Sequence, residues 1–190
     1  MLSMKDYKLI SIVIPVFNAE KTITDLVNSL IVKLSANFMI EIILVNDCSN
    51  DESESECLIL FKKHPKNVKY YRLAKNVGEH NAVMAGLNNA RGIWAIVMDD
   101  DFQNPVSEVI KLINFILKNN YDVVYTKYKE KKDSAFRNFG SYLNNKVANI
   151  MLKKPNNLYL SSFKAINQKL ISEIIKYELP YPYIDGLILR

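Results

Sequence analysis

From Ile10 onward, short and wholly apolar runs alternate with stretches whose apolar residues recur every three or four positions. Residues Ile10 to Val16 (ISIVIPV) form a β-branched run that predicts a strand, and Ile23, Leu26, Val27 and Leu30 follow at helical spacing between Glu20 and Leu34. The same alternation predicts a strand at Ile40 to Val45, then a polar turn with Asp47, Ser49 and Asp51, which leads into a helix holding Cys57, Leu58, Ile59 and Phe61. Asp51 is placed to cap that helix. A third strand is expected at Val68 to Leu73, and a helix from about Glu79 to Ala90 whose small residues suit close packing on a sheet. Ile93 to Met98 (IWAIVM) predicts a fourth strand running into Asp99, Asp100 and Asp101. Pro105 is suited to the first position of an amphipathic helix with Val109, Ile110, Leu112, Ile113 and Ile116. Tyr121 to Tyr125 reads as a fifth strand. Beyond it lie a Lys-rich loop, a helix from Ser141 to Leu152, a short apolar stretch (LYLSSFKAI) and a helix from Gln168 to Tyr177.

Strands that are apolar throughout and alternate with helices predict an α/β fold, a mostly parallel sheet with helices on both faces. Ligands of such sheets bind beyond the carboxyl ends of the strands. Here those ends are residues 15–20, 46–51, 75–80 and 99–103.

The 190 residues suit one domain, and with 49% hydrophobic residues, 5 Gly and 6 Pro they can bury a core. Two cysteines without a CxxC pair exclude a disulfide scaffold and a structural zinc site, and point to a reducing, cytosolic compartment. Lys5, Asp6 and Lys8 precede the first apolar run and no stretch approaches 18 uncharged apolar residues, so these residues predict neither a signal peptide nor a membrane span. Charge is unevenly placed. Residues 1–110 hold 11 Lys and Arg against 14 Asp and Glu, a balance of −3, whereas residues 111–190 hold 14 against 6, a balance of +8. Nucleic acid, an anionic membrane, a phosphorylated ligand or a merely solvated surface would each account for the basic half. The aromatics among its lysines match no RNA-binding signature and are assigned to packing.

Three adjacent carboxylates at the end of a buried strand repel one another unless a cation neutralises them. In an extended segment Asp99 and Asp101 would point the same way, with Gln103 in phase, and an all-oxygen set favours Mg²⁺ or Mn²⁺. A solvated acidic loop or a helix cap is the plainer alternative. Asp47 sits at a turn tip where it could bond a base or ribose, or serve the turn alone. Neither GxGxxG nor GxxxxGK[ST] follows the first strand, which excludes the common dinucleotide and P-loop sites. His80 is assigned to capping or packing. Arg137, Lys164 and Arg190 are candidates for gripping phosphate oxygens, or surface charge.

Taken in order, SIVIPVFNAE, EIILVNDCSNDES, NVGEHNAVMAGLNNARG, IVMDDDFQNP, YDVVY, FRNFGSYLNN and SSFKAI resemble the inverting family 2 glycosyltransferases of GT-A fold, particularly those that use polyisoprenyl phosphates. The resemblance spans residues 11 to about 166. It implies that Pro15, Phe17, Asn18, Glu20 and Asp47 contact the nucleotide of a nucleotide-sugar donor, with Asp100 alongside. It further implies that Asp99 and Asp101 form a DxD metal pair with Gln103 as an added ligand for Mg²⁺ or Mn²⁺. Arg137, Ser162 and Lys164 fall where the family holds the donor diphosphate or acceptor phosphate. The chain departs in having Asn46 where many relatives have Asp, and Lys164 where Arg is common. A phosphate acceptor is already anionic, so no catalytic base is obligatory. Transfer to a sugar hydroxyl would need one, for which Asp185 is the candidate, and a catalytically silent nucleotide-sugar-binding module is the third alternative.

The expectation is therefore a single catalytic domain over 1–190. Its 1–110 half would take donor and metal, and its basic 111–190 half would face a polyisoprenyl phosphate and the anionic inner face of the cell membrane, without nucleic acid. The chain is also expected to be cut short before hydrophobic spans.

Overall fold

A computed structural model describes residues 8–127 and 159–190. The helix expected from Ser141 to Leu152 lies outside these residues. The elements run β1 (Leu9–Val16), α1 (Ile23–Leu34), β2 (Met39–Asn46), α2 (Ser53–Lys63), β3 (Val68–Arg72), α3 (Glu79–Asn88), β4 (Trp94–Val97), α4 (Val106–Ile116) and β5 (Val123–Tyr125). Beyond residue 158 come β6 (Lys164–Asn167), α5 (Gln168–Ile174) and α6 (Ile184–Ile188).

The six strands form one sheet in the order β3-β2-β1-β4-β6-β5. β3, β2, β1 and β4 are parallel, while β6 enters antiparallel between β4 and β5. The mostly parallel α/β expectation is met, with β6 added as a strand that the sequence reading did not name and that joins β5 to the sheet. A four-residue strand reading Lys-Ala-Ile-Asn has no apolar run by which periodicity could find it.

Both faces of the sheet are covered, which is why its central strands lack alternation. Ile10, Ile12 and Ile14 of β1 point to one face, against Leu26 and Leu30 of α1 and Val109 and Leu112 of α4. Val13, Ile43 and Val45 point to the other, with Val83 and Leu87 of α3 and Ile171 and Ile174 of α5. Gly86 lets α3 lie close: a Cβ there would come within 2.3 Å of Val13 Cγ1.

Helix starts differ slightly from the sequence expectation. α1 begins at Ile23, not Glu20; residues 20–22 form a turn, and the N–H groups of Thr22 and Ile23 both donate to the Ala19 carbonyl at 3.0 Å. Pro105 flanks α4 as its cap instead of its first residue, with φ −58° and ψ 144°. Glu52 occupies the capping position of α2, yet it is the Asp51 carboxylate that accepts the Ser53 N–H at 3.0 Å.

One polar cluster is buried within the sheet. Glu41 of β2 accepts the Ser11 hydroxyl (2.7 Å), the Arg91 N–H (2.7 Å) and the Lys69 ammonium (2.5 Å). Burial pushes its carboxyl up, but the hydrogen bonds from Lys69, Ser11 and Arg91 outweigh it and hold the group below its ordinary value.

Candidate functional site

The carboxyl ends of β1, β2 and β4 open onto a cavity of about 410 Å³ whose walls include Pro15, Phe17, Asp47, Gly78, Asp99 and Asp100. Four non-glycine residues among those described have positive φ, and three of them lie in the loops that follow these strands: Asn18 (54°), Cys48 (58°) and Phe102 (62°). Such backbone costs of order 1–3 kcal/mol each and collects where function over-determines the chain. The loops are also cross-tied. The Asn18 N–H donates to Ser49 Oγ (3.1 Å) while Asn18 Oδ1 accepts the Asn50 N–H (2.9 Å). The Glu20 N–H donates to Asp51 (3.1 Å) and the Glu20 carboxylate accepts the Glu52 N–H (3.1 Å). Asn18 and Glu20, expected at the nucleotide, thus also join the first loop to the second. Phe17 remains 45% exposed at the cavity wall, with its ring free for a planar ligand.

Asp47 is 3% exposed, and its two oxygens accept the Val77 and Gly78 N–H groups, each at 2.8 Å. It therefore holds the turn ahead of α3, and Gly78 at φ 87° brings that turn to the cavity. Asn46, at the end of β2, donates its amide to the Tyr70 hydroxyl (3.1 Å) and accepts from Ser49. A carboxylate there could only accept, so the asparagine suits this turn.

The acidic run departs from the extended geometry expected of it. The chain bends from Asp100 onward, Phe102 takes a left-handed φ, and Asp101 Oδ1 accepts the Gln103 N–H (3.0 Å) in a side-chain turn. Asp99 and Asp100 face the cavity, while Gln103 lines a second cavity of about 700 Å³ beneath α4. The common phase expected of Asp99, Asp101 and Gln103 is thereby lost. Asp100 accepts the Phe17 N–H (3.1 Å); burial pushes its carboxyl up, that hydrogen bond opposes the shift, and the charges of Asp101 and Asp99 add to it. Among the described residues no three His, Cys, Asp or Glu side chains gather as a metal cluster. Hard oxygen donors of the kind that Mg²⁺ and Mn²⁺ prefer stand on Asp99 at the first cavity and on the exposed Asp101, whereas Gln103 lines the second cavity.

Ser162 lies beside this segment and its hydroxyl donates to Asp99 Oδ2 (2.6 Å). Lys164 is 4% exposed and does not reach outward: its ammonium is paired with Asp185, itself 7% exposed, and lies 5.4 Å from the centre of the Tyr125 ring. A phosphate-gripping Lys164 would first have to leave that carboxylate. Burial, followed by the charge of Asp185, pushes the Tyr125 hydroxyl well up. His80 packs edge-on against Tyr183, with centroids 5.2 Å apart, as its assignment to packing expected. Arg137 lies outside the described residues. Tyr125 was not singled out as a site residue by the sequence, and Asn76, Gly78 and Glu79 were reached only as part of the strand-end stretch 75–80. Their places depend on strand order and on the hydrogen bonds to Asp47, which no local motif displays.

Residues 11–175 match the model of glycosyl transferase family 2. The chain belongs to this family. An undecaprenyl-phosphate 4-deoxy-4-formamido-L-arabinose transferase of Photorhabdus laumondii subsp. laumondii is 35% identical over 157 residues, which cover 80% of this chain and 46% of that protein. One of the same name from Pectobacterium atrosepticum is 32% identical over 179 residues, 90% of this chain and 52% of the relative. The chain thus spans about half the length of these curated relatives. Among solved structures, glucosyl-3-phosphoglycerate synthase from Mycobacterium tuberculosis in complex with Mn²⁺, UDP-glucose and phosphoglyceric acid superposes with a TM-score of 0.67 at 18% identity. The match covers 88% of this chain and 59% of that one. This likeness shows the GT-A fold that the sequence motifs implied.

Proposed function

We propose that this chain is the catalytic part of a divalent-metal-dependent, inverting glycosyltransferase that moves a sugar from a nucleotide donor to a polyisoprenyl phosphate. The observation that carries the reading is the cavity at the ends of β1, β2 and β4, lined by Pro15, Phe17, Asp47, Asp99 and Asp100. A nucleotide fits this lining: Phe17 supplies an exposed ring, and Pro15 a rigid edge. A diphosphate fits beside Asp99 and Asp100 only if the carboxylates are neutralised, so Asp99 and Asp101, with Gln103, are proposed to hold Mg²⁺ or Mn²⁺. The ion would offset charge on the departing nucleoside diphosphate. The names of the relatives supply the acceptor class, and the neighbour's Mn²⁺ and UDP-glucose supply the donor class.

A phosphate acceptor brings its own anionic oxygen, so this reaction asks the protein to orient two anions and exclude water instead of removing a proton. Ser162 is proposed to orient Asp99, and Arg137 to meet a phosphate. The basic 111–190 half would lie against the inner, anionic face of the membrane. No helix among the described residues is long and apolar enough to cross a membrane, so contact by these residues would be peripheral. Nucleotide sugars screened for thermal stabilisation with Mn²⁺ would identify the donor. Transfer of its labelled sugar to undecaprenyl phosphate, lost in excess EDTA, is the expected result. Donor hydrolysis without transfer to the lipid would redirect the reading to another acceptor, and binding without hydrolysis or transfer would make the chain a silent module.

A further inference from the structure

The row of side chains formed by Val97, Lys164 and Tyr125 crosses three neighbouring strands. Lys164 of β6 is paired with Val97 of β4 on one side and with Tyr125 of β5 on the other. Two positions beyond Val97 is Asp99, and two positions before Lys164 is Ser162; these two are joined by the 2.6 Å hydrogen bond. The Ser162–Asp99 contact thus lies just past the ends of β4 and β6, next along from the Lys164 row, whose Val97 belongs to the side of the sheet that α3 and α5 cover. On that side stands α6, which presents Asp185 to Lys164. The Tyr125 hydroxyl donates to the same oxygen, Asp185 Oδ1, at 2.9 Å. Tyr183, the residue before α6, rests on His80 of α3. The α6 segment thereby joins the start of α3 to β6 through one ring contact and one buried charge cluster.

A buried ion pair is a poor source of net stability, because well-packed apolar residues of the same volume hold a core as well or better. What it supplies is a unique arrangement: an unpaired ammonium cannot stay in this place, so β6 is held where Asp185 meets Lys164. We propose that Asp185, with Tyr125, is a positioning residue that fixes Lys164 and β6 so that the Ser162 hydroxyl stays on Asp99, and that it is not a proton acceptor in transfer. The inference rests on the donor-site reading of Asp99. Its chemistry is that of a carboxylate ligand held by a second group, where loss of the holding hydrogen bond weakens the ligand without removing it. Asp185 is already hydrogen-bonded by an ammonium and a phenol at one oxygen, which is the setting of a counter-ion.

The test is a double-mutant cycle read as the dissociation constant for UDP with Mn²⁺, with no turnover required. Asp185→Asn and Ser162→Ala are each expected to weaken binding about tenfold, and the double variant no further than the worse single one, because both act through Asp99. Tyr125→Phe keeps the ring and removes one hydrogen bond, so a weakening of about threefold is expected, again absent in a Ser162→Ala background. Should Asp185→Asn fail to fold by circular dichroism, the Tyr125→Phe cycle alone decides. Multiplicative effects, or wild-type affinity in the folded Asp185→Asn and Tyr125→Phe variants, would overturn the positioning role while leaving the donor site in place. A wild-type chain that binds no UDP with Mn²⁺ would remove the donor-site reading itself, and the inference with it.

Discussion

Carboxylates that look alike in the sequence have different work in the fold. Asp47 spends its oxygens on the Val77 and Gly78 N–H groups ahead of α3, Asp51 on those of Ser53 and Glu20, Asp100 accepts from Phe17, and Asp185 faces a lysine. Asp101 is different: it is exposed and its one backbone partner lies two residues away. An asparagine oxygen could accept that same N–H, so Asp101→Asn removes charge and little else. Its unfolding free energy is expected to stay within about 0.5 kcal/mol of wild type. Metal-dependent UDP binding and sugar transfer should both be lost. A calorimetric titration of UDP with Mn²⁺ checks this, and unchanged affinity would remove Asp101 from the metal assignment.

At the scale of elements, contacts between α3 and β1 set how closely the helix approaches the sheet. Alanine at position 86 would gain up to about 1 kcal/mol in helix propensity, but its methyl would be placed 2.3 Å from Val13 Cγ1, with Val45 Cγ2 at 3.4 Å. Val13 is fully buried and has little room to yield. Overpacking of this kind costs about 1–3 kcal/mol, so Gly86→Ala should lower the urea midpoint, and a raised midpoint would show that α3 can move outward freely. The Glu41 cluster links β1, β2, β3 and the loop before β4. Its carboxyl lies below the ordinary value of 4.5, so its contribution is present at neutral pH and fades as pH falls through the folded value. Glu41→Gln should cost about 1–3 kcal/mol near pH 7. The gap to wild type should narrow below about pH 4.5, as followed by urea unfolding across pH. A gap that stays constant down to about pH 3 would mean that the Glu41 charge is not the stabilising feature.

Over the whole molecule, charge separates along the chain, −3 in residues 1–110 and +8 in residues 111–190. If the basic half lies against a bilayer, the domain should float with vesicles rich in anionic lipid at low salt, ignore neutral vesicles, and be released by about 0.5 M salt as charges are screened. The sequence showed no apolar anchor, but the structure leaves Leu179 and Tyr181 largely exposed just ahead of α6. Binding that resists salt would therefore be assigned to that segment, and equal binding to neutral vesicles would exclude the electrostatic reading.

The parallel α/β plan was legible because its cause is local. A strand covered on both faces must be apolar throughout, as β1 and β2 are, and the helices between strands repeat at 3.6 residues. The candidate loops followed, since strand ends in such a sheet are where ligands bind. The family was legible from ordered motifs over residues 11 to about 166, and the family match covers 11–175. Tertiary structure alone decided the rest. β6 is four residues long and polar at both ends, and only its pairing with Val97 and Tyr125 makes it a strand. The bend at Phe102 replaced the alternation assumed for Asp99 and Asp101, because a hydrogen bond to the Asp101 side chain competes with extended backbone. Lys164 reads in sequence as one more basic residue of a basic half. It became a buried partner of Asp185, 21 residues away, because the sheet leaves that ammonium no water and α6 brings the only carboxylate it is paired with among the described residues.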